Sequence, residues 1–420
     1  MSNRIFTTLF IAITLPTSLL AVAVAAENWP AFRGGDADGK AAGADLPITW
    51  SETENVTWRT RIPGRAWSSP VIWGDQVWMC NATEDGLDMS AVCVSLKSGE
   101  ILHDLPIFQN EEIVQEMIPL NSFASPTPCV EEGRVYVHFG TYGTACLDAV
   151  SGKTIWKRTD INCDHFRGPG SSPILAGDLL VLSMDGIDEQ YMIALDKQTG
   201  KTVWRTNRSI EFGEAVGDLR KAYSTPTLIE HAGRRQIISC GAFAAYSYDP
   251  ATGRELWRVT YPVKGYSNVV QPLYDGRYVY LNTGFGRPVL MAVRPDGSGD
   301  VTDTHVAWTQ NKGMPQKPTP IILDGRMYSI DDRGVATCLD LEQGDIVEQT
   351  RVGSTHSASV IGASGRFYCF SHEGRCTTLS ADPELKILGK SELESDIMAT
   401  PAVAGDALIL RTKDYLYRIE

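Results

Sequence analysis

Three carboxylates fall within five residues in the segment DGIDEQ, at Asp185, Asp188 and Glu189. Carboxylates at that density can hold a cation or polarise a bound ligand, which makes this loop the first candidate for chemistry. A second acidic stretch, PDGSGDVTD, sets Asp296, Ser298 and Asp300 at the alternate spacing of calcium loops, but the twelfth place is Ala307 and no closing Glu exists. DADG at Asp36 reads as an N-terminal loop. The seven His are scattered, with no pair at metal-ligand spacing, so no zinc or iron site is expected. GKT triplets at Gly152 and Gly200 imitate the end of a phosphate loop, yet Leu147 and Leu195 stand where its first Gly is required, and a strand pattern follows each. No GxSxG elbow and no readable Cys/His pair is present.

The frame that would position such residues is a repeat. A Ser/Thr-Pro-apolar start, a second apolar strand, a polar loop, a third strand, a Gly turn and a fourth strand recur from residue 66 onward. Anchored on Pro70, Pro126, Pro173, Pro226, Pro272, Pro320, Ser359 and Pro401, the intervals are 56, 47, 53, 46, 48, 39 and 42 residues. That is the spacing of four-stranded propeller blades. The second half of the unit is sharper, with Asp148, Gly152 and Trp156, then Asp196, Gly200 and Trp204, then Asp249, Gly253 and Trp257. Gly supplies the positive φ of a tight hairpin, Asp caps the turn, and Trp buries its ring at the sheet periphery. The eighth unit stops after three strands at Glu420, while Asn55 to Ile62 resembles an orphan fourth strand. An all-β, eight-bladed propeller of four-stranded antiparallel blades, closed by its N-terminal strand, is predicted over residues 55–420.

In such a fold the first strand lines the channel, and the loops between strands two and three share a face with the interblade loops. That face gathers Arg65, Trp67, His165, Arg167, Asp218, Arg220, Lys221, Lys312, Lys317 and His356 from interblade loops. Asp185, Asp188, Glu189, Arg287, Asp331, Asp332, Arg333, His372, Glu373 and Lys413 join them from the inner loops. A mixed-charge rim suits a peptide, a sugar or a partner loop.

The formal net charge of -13, without a basic block, excludes nucleic acid as a partner. No charged residue occurs between Arg4 and Glu27, and Val24 and Ala26 hold the small-residue places before Glu27. Residues 1–26 are read as a cleaved secretory signal, with Pro16 arguing against a retained anchor, and residues 27–54 as an N-terminal extension. The mature chain is expected in the periplasm or outside the cell, without stable membrane insertion. Nine Cys leave at least one thiol free. Cys80 with Cys93 and Cys369 with Cys376 are close enough across hairpins to be considered as bridges, but their apolar strand settings favour buried thiols.

The Ser/Thr-Pro starts and the Asp, Gly and Trp phrase resemble the repeats of the pyrroloquinoline-quinone (PQQ) type β-propeller superfamily, over nearly the whole mature chain. NWPAFRGG, LPITWSETENVTWRT and the closing RTKDYLYRIE look like a group of secreted PQQ-like repeat proteins. The superfamily includes quinoprotein dehydrogenases and the non-catalytic periplasmic scaffold of outer-membrane protein assembly. For a dehydrogenase, the resemblance implies PQQ in the channel, a calcium ion, an Asp base and, in many members, adjacent Cys. No two Cys are adjacent here, and Trp67 is the clearest indole that could stack on a quinone. The expected function is therefore a non-catalytic scaffold, without a cofactor or metal, binding a protein or carbohydrate partner on the loop face. The alternative is a PQQ- and calcium-dependent oxidoreductase using Asp185 or Asp188 as metal ligand or base.

Overall fold

A computed structural model describes residues 28–420; the signal read at residues 1–26 lies outside the described residues. The strands form eight antiparallel blades, numbered here in chain order from residue 71. Blade one runs outward from the axis through Val71–Trp73, Gln76–Ala82, Asp88–Ser95 and Ile101–Gln109. Middle strands such as Leu179–Asp185 are buried almost throughout, because both their faces meet neighbouring blades, whereas the outermost strand Thr202–Asn207 alternates toward solvent. This explains why the sequence shows short apolar runs flanked by alternating ones. Blade four gains a fifth strand, Gly299–Asp300, which pairs in parallel with Glu255–Thr260. There Asp300 accepts the Thr302 amide at 3.1 Å and faces Arg258, so the calcium-like spacing serves a turn.

Where the Asp, Gly and Trp phrase occurs, it ties a blade to the next. Asp148 accepts the Ser151 amide at 2.7 Å and the Val150 amide at 3.2 Å, closing the turn that Gly152 completes at φ 71°. The Trp then leans on the turn of the following blade. Trp156 Nε1 donates to Lys197 O at 3.0 Å and its ring covers Gly200, where a Cβ would stand 2.7 Å from the indole. Trp204 repeats this on Pro250 O and Gly253, and Trp308 on Leu341 O and Gly344. Gly is needed twice over at these places, for its positive φ and for the missing side chain.

The ring closes in the same way. Val56–Arg61 pairs antiparallel with Tyr415–Ile419 as the outer strand of blade eight. Trp58 Nε1 donates to Leu96 O at 3.0 Å and covers Gly99 of blade one. Deeper in this seam Arg411, 1% exposed, donates to Cys80 O and Asn81 Oδ1, both at 2.8 Å.

Around the axis the residue before each blade-opening Pro forms a hydrogen-bonded belt. The Ser69 amide donates to Thr127 Oγ1 (3.1 Å), Thr127 to Ser172 Oγ (2.9 Å) and Ser172 to Thr225 Oγ1 (2.9 Å). Beyond blade five the Gln271 amide donates to Thr319 Oγ1 (3.1 Å), Thr319 to Ser359 Oγ (3.1 Å), Ser359 to Thr400 Oγ1 (2.9 Å) and Thr400 back to Ser69 Oγ (3.1 Å). The eighth link differs, with Gln271 Nε2 reaching Pro226 O at 3.5 Å. The belt corrects two anchors of the sequence reading. Thr127 and Pro128, not Ser125 and Pro126, open blade two, and Ser359 precedes Val360, which occupies the Pro place in blade seven.

The N-terminal extension is a strap across one end of the channel. Trp29 exchanges backbone hydrogen bonds with Ile72 of blade one, Pro30 O accepts from Val130 of blade two, and Ala41 N donates to Gly362 of blade seven. Between these points Arg33, 1% exposed, donates to Thr319 O at 3.0 Å, Pro320 O at 2.7 Å, Val360 O at 3.1 Å and Asp38 O at 2.8 Å. Burial lowers its pKa to about 10, which still leaves it charged at neutral pH.

All nine cysteines are free and buried. Cys80 lies opposite Ala91 and Cys93 opposite Trp78, a diagonal offset. Cys369 pairs with Thr377 and Cys376 with Phe370, so these two side chains point to opposite faces of the sheet.

Candidate functional site

The belt is the narrow end of a funnel of about 490 Å³ opening on the face of the interblade loops. Phe32 of the strap lines the same cavity and forms its floor. An extended chain presents every second residue to the same side, so the residue two before each belt position also faces the axis. That second ring is Trp67, Ser125, Gly170, Tyr223, Val269, Lys317, Ser357 and Met398, all lining the cavity. Wider still, the loops add Ile118, Leu120, Phe166, Arg167, Asp218, Lys221 and Phe285. The inner loops do share this face, since Ile187 N donates to Asp164 O at 2.8 Å and Phe285 N to Tyr266 O at 3.1 Å.

Lys221 is the most enclosed charge in the funnel, with a side chain only 4% exposed. Its ammonium pairs with the Asp218 carboxylate, donates to Ser267 Oγ at 2.9 Å, and sits 5.2 Å from the Phe166 ring and 5.7 Å from the Tyr223 ring. Burial pulls its pKa below the ordinary lysine value, with Asp218 opposing the shift. Phe166 is held over the funnel with φ 64° in a tight turn, the Arg167 amide donating to His165 O at 2.7 Å. A non-Gly residue at that φ is strained, and such strain persists only where surrounding contacts impose it. Asp164 Oδ1, which accepts the Phe166 amide at 2.8 Å, and Tyr223 OH, which donates to His165 O at 3.0 Å, are those contacts.

Of the twenty rim residues named from the sequence, the funnel brings together Trp67, Arg167, Asp218, Lys221 and Lys317. Arg65 stands behind Trp67, holding the blade-one to blade-two loop through the carbonyls of Ile118, Pro119 and Asn121. Arg220 donates to Ala215 O at 2.7 Å and packs on Phe212, outside the lining. Arg287 is exposed on the loop beyond Phe285, and Lys413 is half-buried where its amide meets Asp396 O. Asp331 caps its own turn through the Arg333 and Val335 amides at 2.9 and 2.8 Å. His356 is buried beside a separate cavity of about 400 Å³ that Ser371 and Cys376 also line. Burial lowers its pKa to about 4.

The carboxylates of the DGIDEQ loop do not converge. Asp185 ends its strand pointing into the blade, where it forms a buried ion pair with Arg208, each side chain 2% exposed. Asp188 instead accepts the Asp164 and Glu189 amides at 2.7 Å each, and Glu189 pairs with Arg205 on the surface. A hairpin alternates its side chains, so proximity in sequence here becomes separation in space. Among the described residues no cluster of three or more His, Cys, Asp or Glu is placed to hold a metal. Among the lining residues that the loop survey did not name are Phe32, Leu120, Phe166, Tyr223, Val269, Phe285 and Met398. For Tyr223, Val269 and Met398 the signal was present, in the place three before each blade-opening Pro.

A family model described as outer membrane protein assembly factor BamB, of PQQ-repeat type, matches residues 44–206 and 215–420. The chain belongs to that family. It is 23% identical to BamB of Yersinia pestis over 347 residues, covering 76% of this chain and 84% of that protein. It is also 26% identical to a 1-butanol dehydrogenase (quinone) of Thauera butanivorans over 250 residues, 53% of this chain. The match spans only 36% of that enzyme's length. Among solved structures, BamB from Moraxella catarrhalis superposes with a TM-score of 0.62 at 11% identity, covering 87% of this chain and 99% of that one. A europium-containing methanol dehydrogenase gives 0.67 at 11% identity, covering 94% and 89%. At such identities these superpositions show the shared fold alone.

Proposed function

We propose that the protein is a non-catalytic scaffold of the bacterial cell envelope, exported to the periplasm, that holds a protein partner on its funnel face during outer-membrane protein assembly. The observation that carries this reading is the funnel mouth itself. Leu120 and Phe285, 44% and 52% exposed, stand among the charged side chains of Arg167, Lys317 and Asp218. Apolar anchors within a mixed-charge rim match the anatomy of a protein interface. The names of the BamB relatives support a protein partner over the carbohydrate also expected. A photo-crosslinking residue at Leu120 or Phe285 in living cells is expected to capture an outer-membrane assembly component. Absence of any crosslink from both positions, with the protein folded and exported, refutes the reading.

A quinoprotein oxidoreductase is the second reading, favoured by the dehydrogenase relative and by two large aromatic side chains, Trp67 and Tyr223, lining one funnel. A calcium-bound quinone requires several oxygen ligands beside the ring. The funnel offers a single carboxylate, Asp218, and Lys221 already engages it. The residues present therefore do not fit the calcium and quinone pair. A calorimetric titration of residues 27–420 with PQQ, with and without calcium, is expected to show no binding; tight calcium-dependent binding would favour the dehydrogenase.

A further inference from the structure

We propose that Ser357 and His372 form a nucleophile and base pair on the funnel wall, and that Ser357 is a covalent acceptor for the acyl group of an activated ester whose acyl part is apolar. Ser357 Oγ lies 2.7 Å from His372 Nε2, and Ser357 lines the funnel in the second ring, next to the belt. A serine hydroxyl is a weak nucleophile until a base within hydrogen-bond reach takes its proton, and that contact is present here. Backbone pairing sets the two segments side by side. His356 and Ser371 form an antiparallel bridge, the His372 amide donates to Thr355 O at 2.8 Å, and the Ile397 amide donates to His372 O at 3.3 Å from the chain entering blade eight. The backbone that carries the imidazole is thus held from both sides.

The second ring holds one other serine, which supplies the contrast. Ser125 Oγ donates to Asn121 Oδ1 at 2.6 Å, and an amide does not take up a proton at neutral pH. His372 does. Burial, and after it Lys317, which pairs with Asp332, hold its pKa below the ordinary histidine value, while Glu373, Asp396 and Asp332 oppose the shift and His356 is its remaining ionisable neighbour. The imidazole is therefore neutral and able to accept at neutral pH, and the same carboxylates offset its charge once it is protonated. In the step, Ser357 Oγ bonds to the carbonyl carbon as the bond to the leaving oxygen breaks, and the hydroxyl proton passes to His372 Nε2 and on to that oxygen. Met398 stands beside Ser357 in the second ring with Trp67 next beyond, and this apolar side takes the acyl part. One acyl group per chain is a modification and not a turnover, so the inference goes beyond the scaffold reading and does not depend on it.

The test is reaction of the mature protein with an alkyl fluorophosphonate, which forms an Oγ–P bond and releases fluoride, and with para-nitrophenyl butyrate, each followed by peptide mass spectrometry. An adduct is expected at Ser357 and not at Ser125, with a burst of about one equivalent of nitrophenol per chain from the ester. His372→Gln is expected to slow both reactions at least about a hundredfold, the scale of general-base assistance, and Ser357→Ala to abolish them. The wild-type rate should rise with pH to a plateau and be half-maximal below pH 6.5, as the imidazole loses its proton. Should either variant fail to fold, the wild-type peptide map and pH profile decide. No adduct at Ser357, equal modification of Ser125, a rate unmoved by His372→Gln in a folded protein, or a rate that climbs through alkaline pH without a plateau overturns the proposal.

Discussion

Replacing Asp185 with Ala separates a structural carboxylate from a functional one. In the folded protein Arg208 donates to Asp185 through Nε at 2.9 Å and Nη2 at 2.6 Å, with both side chains 2% exposed. The guanidinium also reaches Ser183 Oγ, Ser239 Oγ and Tyr248 OH, and lies 4.9 Å from the Tyr246 ring. Those hydroxyls are neutral, so Asp185→Ala leaves a buried cation without a counter-charge. Breaking one partner of such a pair costs about 3–5 kcal/mol, a large share of an ordinary folding free energy of about 5–15 kcal/mol. Replacing both partners, Asp185→Ala with Arg208→Met, removes the stranded charge and is expected to recover about half of that loss. Asp188→Ala, which only frees two exposed amides, should cost about 1 kcal/mol. Urea unfolding followed by Trp fluorescence gives these values, and millimolar calcium should leave the wild-type midpoint unmoved. A loss below about 1 kcal/mol for Asp185→Ala, or calcium stabilising the wild type but not this variant, refutes the structural assignment and returns Asp185 to the role of ligand.

Acid should weaken the ring through its buried histidines. Burial holds His138 down to about 3 and His165 and His356 to about 4, against 6.5 in the unfolded chain. Because the folded values are depressed, stability is complete above pH 6.5 and falls as the pH drops toward 4. At about 1.4 kcal/mol per pKa unit, His165 and His356 each surrender roughly 3 kcal/mol across that range; urea midpoints that stay flat from neutral pH down to pH 4 would contradict this. Arg33→Met should orphan the buried carbonyls of Thr319, Pro320 and Val360 and cost about 3 kcal/mol. Limited proteolysis should then cut the strap within residues 28–50, and an uncut strap with unchanged stability would refute its role.

The architecture was legible because its signals are local and repeated. A turn capped by Asp148, closed by Gly152 and followed by Trp156 needs only short-range chemistry, and three copies at one spacing announce a ring. Even the closure was readable, since the strand around Trp58 carries the same indole phrase as the blades it completes. Register was less legible: Pro126 and Pro128 are equally good blade openers in sequence, and only the Thr127 hydroxyl, bonded to the Ser69 amide, decides between them.

The site was another matter, because function here is radial and sequence is linear. Loop position named Trp67, Arg167, Lys221 and Lys317, and the fold sets them on one funnel although 250 residues separate the first from the last. The same logic failed for Asp185, since a charge at a strand end is claimed by whichever partner packs beside it, and Arg208 comes from the outer strand's far end. Nothing in the sequence shows that Phe32 of the strap lines the channel, or that seven Ser and Thr side chains around the axis each accept a neighbouring backbone amide. Local chemistry determined the blade; the shared axis, which exists only once all eight blades have closed, decided what the blades could hold.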